Sequence, residues 1–322
     1  MAERSDITVV VVTWQGAHLL PECLASLAAQ TLPHEVIVVD NASSDGTAQL
    51  LADDFPQASV ITFARNTGFA GGVAAALDHV RTPYLALLNN DAAADPYWLE
   101  RSVAVLRADA AVAAVTAKLL LWGSGRINNA GVVLTRDGYG ADRGLDERDG
   151  PPYDRAAEVF GFSGGAAVLR TDAVQGAGGV PALFFLYYED TDLAWRLRLA
   201  GWHVCYLPDA VVRHRHAATS NRDSPMFAYY NERNRLLMLL RSAPAGFAVR
   251  QMVRFCVTSA SLAARRAMRQ QVPDVPVFRL RLRLRVLAAV VRWLPWALRE
   301  RRAIGRRAIV PRQVVAADWV GR

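Results

Sequence analysis

Cysteine is scarce. The 322 residues hold three, Cys23, Cys205 and Cys256, far apart and without CxxC spacing. That excludes a zinc ribbon and supplies no disulfide framework, so a reducing cytoplasm is the expected compartment. Long apolar runs are missing too: no stretch reaches the roughly 18 uninterrupted apolar residues of a spanning helix. The N-terminus, MAERSDITVVVVT, sets acidic residues beside a run too short for the core of a secretory leader, so none is expected. With 52% hydrophobic residues and modest charge, the composition is that of a globular protein with room for one large domain and an appendage.

Charge is unevenly placed. From Arg241 onward there are 18 arginines against Asp274, Glu300 and Asp318, a balance of +15, whereas the first 240 residues carry −8. Opposite signs in the two parts point to a catalytic or binding body and a basic tail that meets something anionic.

The body reads as alternating strand and helix. Ile7–Thr13 and Leu85–Asp91 are apolar runs of the kind buried on both faces of a parallel sheet, and Glu35–Val39 and Ser59–Ala64 read as further short strands, with helical spacing between them. A sheet of this kind binds its ligand at the carboxyl ends of its strands. Three such ends carry polar residues. Asp40 precedes Asn41 to Thr47, where it can accept from a base or ribose or merely cap the next helix. Asn66 to Gly72, NTGFAGG, is a glycine turn that admits phosphate; it has neither the Walker A lysine nor dinucleotide-type glycine spacing. Asn89, Asn90 and Asp91 end the run YLALLNND, and such oxygen ligands suit Mg²⁺ or Mn²⁺ with phosphate oxygens in its shell.

Further on, Val112–Leu121 reads as a strand and 136–158 as a long solvated loop. The stretch FFLYYEDTDLAWRLRLAGW sets Glu189, Asp190 and Asp192 at the start of a helix ended by Gly201. The helix dipole alone favours carboxylates there, and a cluster of three also raises its own pKa values and supplies a general base. His214 and His216 follow a strand, and Arg233 and Arg235 lie on a helix near the expected ligand, free to clamp a diphosphate or to face solvent.

Taken in order, VVVVTW, VVDNASSDGT, NTGFAGG, LLNND, FSGGAAVLR, the FFLYYEDTD stretch and VVRHRHAATS resemble the motifs of family 2 glycosyltransferases of the GT-A fold, especially the rhamnosyltransferase-like branch. The match runs from Val9 to about Arg241. It implies a mixed, mainly parallel α/β sheet flanked by helices in a catalytic domain over residues 1–240, with a basic, mostly helical extension over 241–322.

The resemblance also implies roles. Asp190 is the catalytic base. Thr13, Asp40, Asn66, Gly68, Asn89, Asn90 and Arg233 meet the donor nucleotide, with Asp40 on its base. Asn89 and Asp91 are the ends of a DXD-type metal motif completed by His214, with His216 the second choice. Gly164, Gly165, Glu189 and Asp192 lie on the acceptor side. The implied reaction is inverting, metal-dependent transfer from a nucleotide-sugar, dTDP-rhamnose first and UDP- or GDP-sugars next, to a lipid-linked or polysaccharide acceptor. Gln15, Ala74 and Ala76 depart from the family pattern and bear on the sugar, not on the reaction. A nucleotidyltransferase would show a basic glycine loop after the first strand, where this chain has Thr13-Trp14-Gln15-Gly16. A non-catalytic nucleotide-sugar scaffold is the rival from another class.

In the tail, Leu280, Leu284, Leu287, Val291, Leu294 and Leu298 form one helical stripe, with Arg281, Arg285, Arg292 and Arg299 off it. Residues 278–286 also alternate as an edge strand would, and Pro295 is expected to kink or end a helix. Trp293 and Trp296 beside arginine suit a headgroup region. The expectation is peripheral attachment to an anionic membrane on the cytoplasmic face, with an arginine-rich cap on the catalytic domain as the alternative. No nucleic-acid recognition motif is present, and a homo-oligomer is left open.

Overall fold

The computed structural model describes residues 5–215 and 223–322. The strands are β1 Ile7–Thr13, β2 Glu35–Asp40, β3 Ser59–Thr62, β4 Tyr84–Asn89, β5 Ala92–Ala94, β6 Val112–Leu121, β7 Arg126–Asn129, β8 Val132–Leu134, β9 Gly140–Asp142, β10 Ala157–Glu158, β11 Ala166–Arg170 and β12 His203–His214. The helices are α1 Leu20–Ala28, α2 Thr47–Asp54, α3 Gly68–Leu77, α4 Trp98–Ala108, α5 Thr171–Gly176, α6 Glu189–Leu199, α7 Pro225–Ser242, α8 Ala245–Ala267, α9 Leu280–Arg307 and α10 Arg312–Trp319.

The main sheet runs β10-β12-β6-β11-β4-β1-β2-β3. β3, β2, β1 and β4 are parallel, β11 lies antiparallel between β4 and β6, and β12 is parallel to β6. The apolar runs are explained by burial on both faces. In β1, Val10 and Val12 enter one core while Ile7, Val9 and Val11 enter the other; in β4, Leu85 and Leu87 oppose Tyr84, Ala86 and Leu88. Helices α1, α2 and α4 cover the second core, and α3 and α6 with the later helices cover the first. Register pairs Thr13 with Asp40 and Val12 with Asn89, which brings three ligand-facing strand ends to one rim of the sheet.

Two sequence expectations change here. The stretch 136–158 is exposed or half-buried over most of its length, as expected, but carries more structure than a bare loop. It contains β9, a helical turn at Pro151–Tyr153 and β10, and Lys118 pairs with Asp149 at 2.8 Å and with Asp154 at 3.2 Å beneath it. Tyr153 is buried, donates to Glu147 Oε2 and accepts from the Tyr206 hydroxyl through its carbonyl. Second, α9 passes through Pro295 without ending. The proline removes a hydrogen bond to the Val291 carbonyl, and Val291 is 69% exposed, so water can take that acceptor.

The tail is packed on the body. The expected boundary at residue 240 falls inside α7, and Leu282, Val286, Val290, Ala297, Ile304 and Val315 belong to the same core as β1, α3 and α6. The arginine-rich-cap alternative describes this packing. The stripe Leu284, Val291 and Leu298 is left outside, at 54%, 69% and 42% exposure. Among the described residues no helix is long and apolar enough to cross a membrane.

Candidate active site

Asn89 closes β4, and Asn90 and Asp91 follow at the rim. Asn90 Nδ2 donates to Thr13 Oγ1 at 2.9 Å, tying the ends of β4 and β1. Asp91, buried, places Oδ1 3.0 Å from His214 Nε2, and Asn89 Nδ2 lies 3.2 Å from the same nitrogen. His214 is delivered by the end of β12, which crosses beside β5, and the Arg215 N–H donates to the Asp91 carbonyl. On its other side, His214 Nδ1 lies 2.6 Å from Asn128 Oδ1. With Nδ1–H donating to Asn128, Nε2 presents its lone pair toward Asp91, the tautomer a metal ligand requires.

Neighbouring ligands of an octahedral ion bound at about 2.1 Å lie about 3.0 Å apart, which is the spacing of His214 Nε2 and Asp91 Oδ1. The same distance is that of an ordinary N–H···O contact, so what speaks for a small divalent cation is the donor chemistry, a carboxylate oxygen beside an imidazole nitrogen. Among the described residues no group of three His, Cys, Asp or Glu gathers there, so amide, phosphate or water oxygens would complete the shell, as Mg²⁺ ordinarily prefers. His216 lies outside the described residues.

Asp190 opens α6. Its Oδ2 accepts from the Gly164 N–H at 3.0 Å, and Oδ1 accepts from the N–H and hydroxyl of Thr191 at 2.5 and 3.0 Å. Burial raises its pKa above the ordinary carboxylate range against those hydrogen bonds, with the charge of Asp142 adding to the rise. The next residue of the glycine pair turns the other way: Gly165 O accepts from the Asn89 N–H at 3.0 Å. Gly164–Gly165 thus bridges the base candidate and the metal-ligand candidates. The β8–β9 hairpin leans over the same helix start, where the Gly140 N–H donates to the Tyr188 hydroxyl at 3.2 Å.

The approach to Asp190 is a strained backbone. Phe185, Tyr187 and Tyr188 have φ of +63°, +69° and +71°, values costly for aromatic residues. One buried side chain from α7 holds them. Asn234 Nδ2 lies within 2.9 Å of the carbonyls of Phe184, Leu186 and Tyr187. The sequence reading did not single out Asn234 or Asn128. Neither has a local signal, since each partner is distant in the chain.

Other expected donor contacts take definite positions. Asp40, buried at the end of β2, accepts from the Ser43 N–H at 3.0 Å. Asn66 accepts from the Gly68 N–H at 2.7 Å. Gly68, at φ +74°, is a glycine because a Cβ would lie 2.0 Å from the Phe185 carbonyl oxygen; the close approach is to protein, not to an open phosphate cradle.

Two further placements differ from expectation. Asp192 is not on the acceptor side: it is 0% exposed, with Oδ2 on Arg196 Nε at 2.8 Å and Oδ1 on Arg241 Nη1 at 2.7 Å. Arg233 does not reach for a diphosphate through its Nη2, which donates to the carbonyls of Leu183 and Phe184 at 2.8 and 3.0 Å and helps Asn234 hold that segment. Glu189 is buried with Oε2 lacking a partner, and burial, then the charges of Asp190 and Asp192, push its pKa well up.

Comparison with known proteins agrees with this architecture. The family model described as Glycosyl transferase family 2 matches residues 8–174. N-acetylglucosaminyl-diphospho-decaprenol L-rhamnosyltransferase of Mycobacterium tuberculosis is 28% identical over 247 residues, covering 67% of this chain and 78% of that protein. Among solved structures, GalNAc-T7 with UDP, GalNAc and Mn²⁺ superposes with a TM-score of 0.63 at 12% identity, over 81% of this chain and 51% of that one. The mannosyltransferase PcManGT from Pyrobaculum calidifontis, with GDP-Man and Mn²⁺, gives 0.51 at 21% identity over 98% and 80%.

Proposed function

This chain belongs to glycosyl transferase family 2, and from that premise we propose that it transfers a sugar from a nucleotide-sugar, dTDP-rhamnose first, to a hydroxyl of a lipid-linked or polysaccharide acceptor in cell-envelope glycan synthesis. The rhamnose and the lipid-linked acceptor are supported by the name of the mycobacterial relative. The geometry that carries the reading is the Gly164–Gly165 bridge, which sets Asp190 and the Asn89–Asp91–His214 group on either side of one turn.

In this reading Asp190 accepts the proton of the acceptor hydroxyl as its oxygen forms the new bond to the anomeric carbon and the nucleoside diphosphate leaves. One base and in-line attack invert that carbon. A raised pKa suits a base working near neutrality, and the Gly164 N–H on Oδ2 and the Thr191 donors on Oδ1 hold the carboxylate in place. Asp91 Oδ1, His214 Nε2 and Asn89 would hold Mg²⁺ or Mn²⁺, and a divalent cation supplies Lewis-acid stabilisation of a leaving diphosphate. In the same reading Thr13, Asp40, Asn66 and Asn90 would contact the donor nucleotide. Asp190→Asn should slow transfer roughly 10²-fold or more while nucleotide binding persists; undiminished transfer by that variant overturns the assignment, and a scaffold would turn over no donor at all.

Peripheral attachment to an anionic membrane belongs to the same reading. Its support is the outward stripe Leu284, Val291 and Leu298 on α9, bordered by Arg281, Arg285, Arg292 and Arg299. Apolar insertion beside basic residues is the pattern of an interfacial helix.

A further inference from the structure

At the end of α9 the chain turns through Ala308 to Pro311 into α10 and frames an open cavity of about 370 Å³ lined by Arg301, Gly305, Ile309, Pro311, Arg312 and Gln313 among others. It lies away from the active site. The N–H groups of Ile309 and Val310 both donate to the Leu199 carbonyl at 2.9 Å, the last residue of α6, whereas Asp190 lies in its first turn, about 14 Å along the helix.

The cavity is electrostatically unfinished. Arg301 Nη1 donates to the carbonyls of Leu240 and Ala243 at 2.9 and 2.7 Å, and Arg312 Nη2 donates to the Arg301 carbonyl at 2.9 Å. These bonds fix both guanidiniums in place without neutralising either. Arg312 Nε is buried with no partner. Neither arginine makes an ion pair among the described residues, and the adjacent Glu300 is turned to Arg241. Burial lowers the pKa of both groups, and Arg312 adds its like charge at Arg301. Two partly desolvated cations facing one cavity without an anion are costly unless an anion enters. Planar guanidinium donors match phosphate oxygens, and the first turn of α10 opens on the same space, adding its dipole.

We propose that Arg301 and Arg312 form a binding pocket for a phosphate mono- or diester, separate from the donor site. The chemistry is shared by a free phosphate compound and a phospholipid headgroup. Ile309, 77% exposed at the rim, is placed to enter an acyl layer if the phosphate belongs to a lipid. The inference does not depend on the glycosyl-transfer reading.

The test is calorimetric titration of the full chain with inorganic phosphate in EDTA, comparing Arg312→Gln with Gly305→Asp. The second variant keeps both arginines and sets a carboxylate beside Arg312, whose Nη1 would lie 3.4 Å from the new Cβ. Saturable binding that weakens at least tenfold in both variants is the expected result. Absence of saturable binding, or binding unchanged in a folded Gly305→Asp protein, overturns the proposal. Flotation with phosphatidylglycerol and phosphatidylcholine vesicles then identifies the source. Anionic-vesicle binding lost in the same variants supports a headgroup, and vesicle binding untouched alongside lost phosphate binding supports a free phosphate compound.

Discussion

Asn234 on α7 donates to the carbonyl of Tyr187 at 2.8 Å, across 47 residues of chain. Its amide also lies 2.9 Å from the Phe184 and Leu186 carbonyls, so one fully buried side chain restrains the left-handed segment that delivers Asp190. Asn234→Ala should cost about 2 kcal/mol or more of stability, since it strands buried acceptors. It should also lower kcat more than it raises donor KM. Denaturant unfolding and steady-state kinetics check both parts; unchanged kcat in a folded variant would remove Asn234 from any positioning role.

The acid limb of kcat/KM should reflect Asp190. Its pKa is raised by burial and by Asp142, and it acts as a base only when ionised. Activity should therefore fall on acidification at a pH above the usual carboxylate range of about 4. A limb at or below that range contradicts the role. Asp190→Asn should lose roughly 10²-fold or more in kcat.

Glu189 makes a stability prediction with a definite sign. Its pKa is raised in the folded chain, chiefly by burial, so the folded state holds the proton more tightly than the unfolded one. Its contribution is full below the unfolded value and is lost as pH rises through the folded value. Glu189→Gln, which never ionises, should be more stable than the parent at neutral pH, with the difference shrinking on acidification. Melting curves across that range would show it; a difference independent of pH would contradict it.

The tail should not be separable. Arg241 Nη1 meets Asp192 at 2.7 Å inside the protein, Arg241 reaches Glu300 on α9 at 3.4 Å, and its guanidinium lies 4.6 Å from the Trp296 ring centroid. Arg241→Met should cost about 3–5 kcal/mol because it leaves a buried carboxylate with one fewer partner. A chain cut after residue 240 should be recovered unfolded. A folded, active fragment would show that the basic helices are an accessory.

Val291→Glu with Leu298→Glu should weaken binding to phosphatidylglycerol vesicles without changing the melting temperature, because both side chains face outward. Equal vesicle binding by that variant would dismiss the α9 stripe as the contact.

Much of this was legible in the sequence where burial writes itself locally. Ile7–Thr13 and Val112–Leu121 are strands over their full expected lengths, because residues buried on both faces are apolar without interruption. Asn89, Asp91 and His214 were named together from motif order, and they meet in space. What escaped was partnership over distance. Asp192 reads like its neighbours Glu189 and Asp190, and only the fold reveals Arg241 beside it. Asn128 and Asn234 are single carboxamides whose importance is the orientation of His214 and of the Phe184–Tyr187 carbonyls. The α9 stripe is helical as expected, but only Leu284, Val291 and Leu298 of it face outward, while Leu287 packs against the core beside Val286, Val290 and Ala297.

The most direct test of the account is calorimetric titration of the purified chain with dTDP, UDP and GDP, each with Mn²⁺ and with EDTA. The account predicts that one nucleotide binds in a metal-dependent way and that Asp91→Ala and His214→Ala each abolish the metal dependence. Binding that is indifferent to metal and to both substitutions would contradict the site described here.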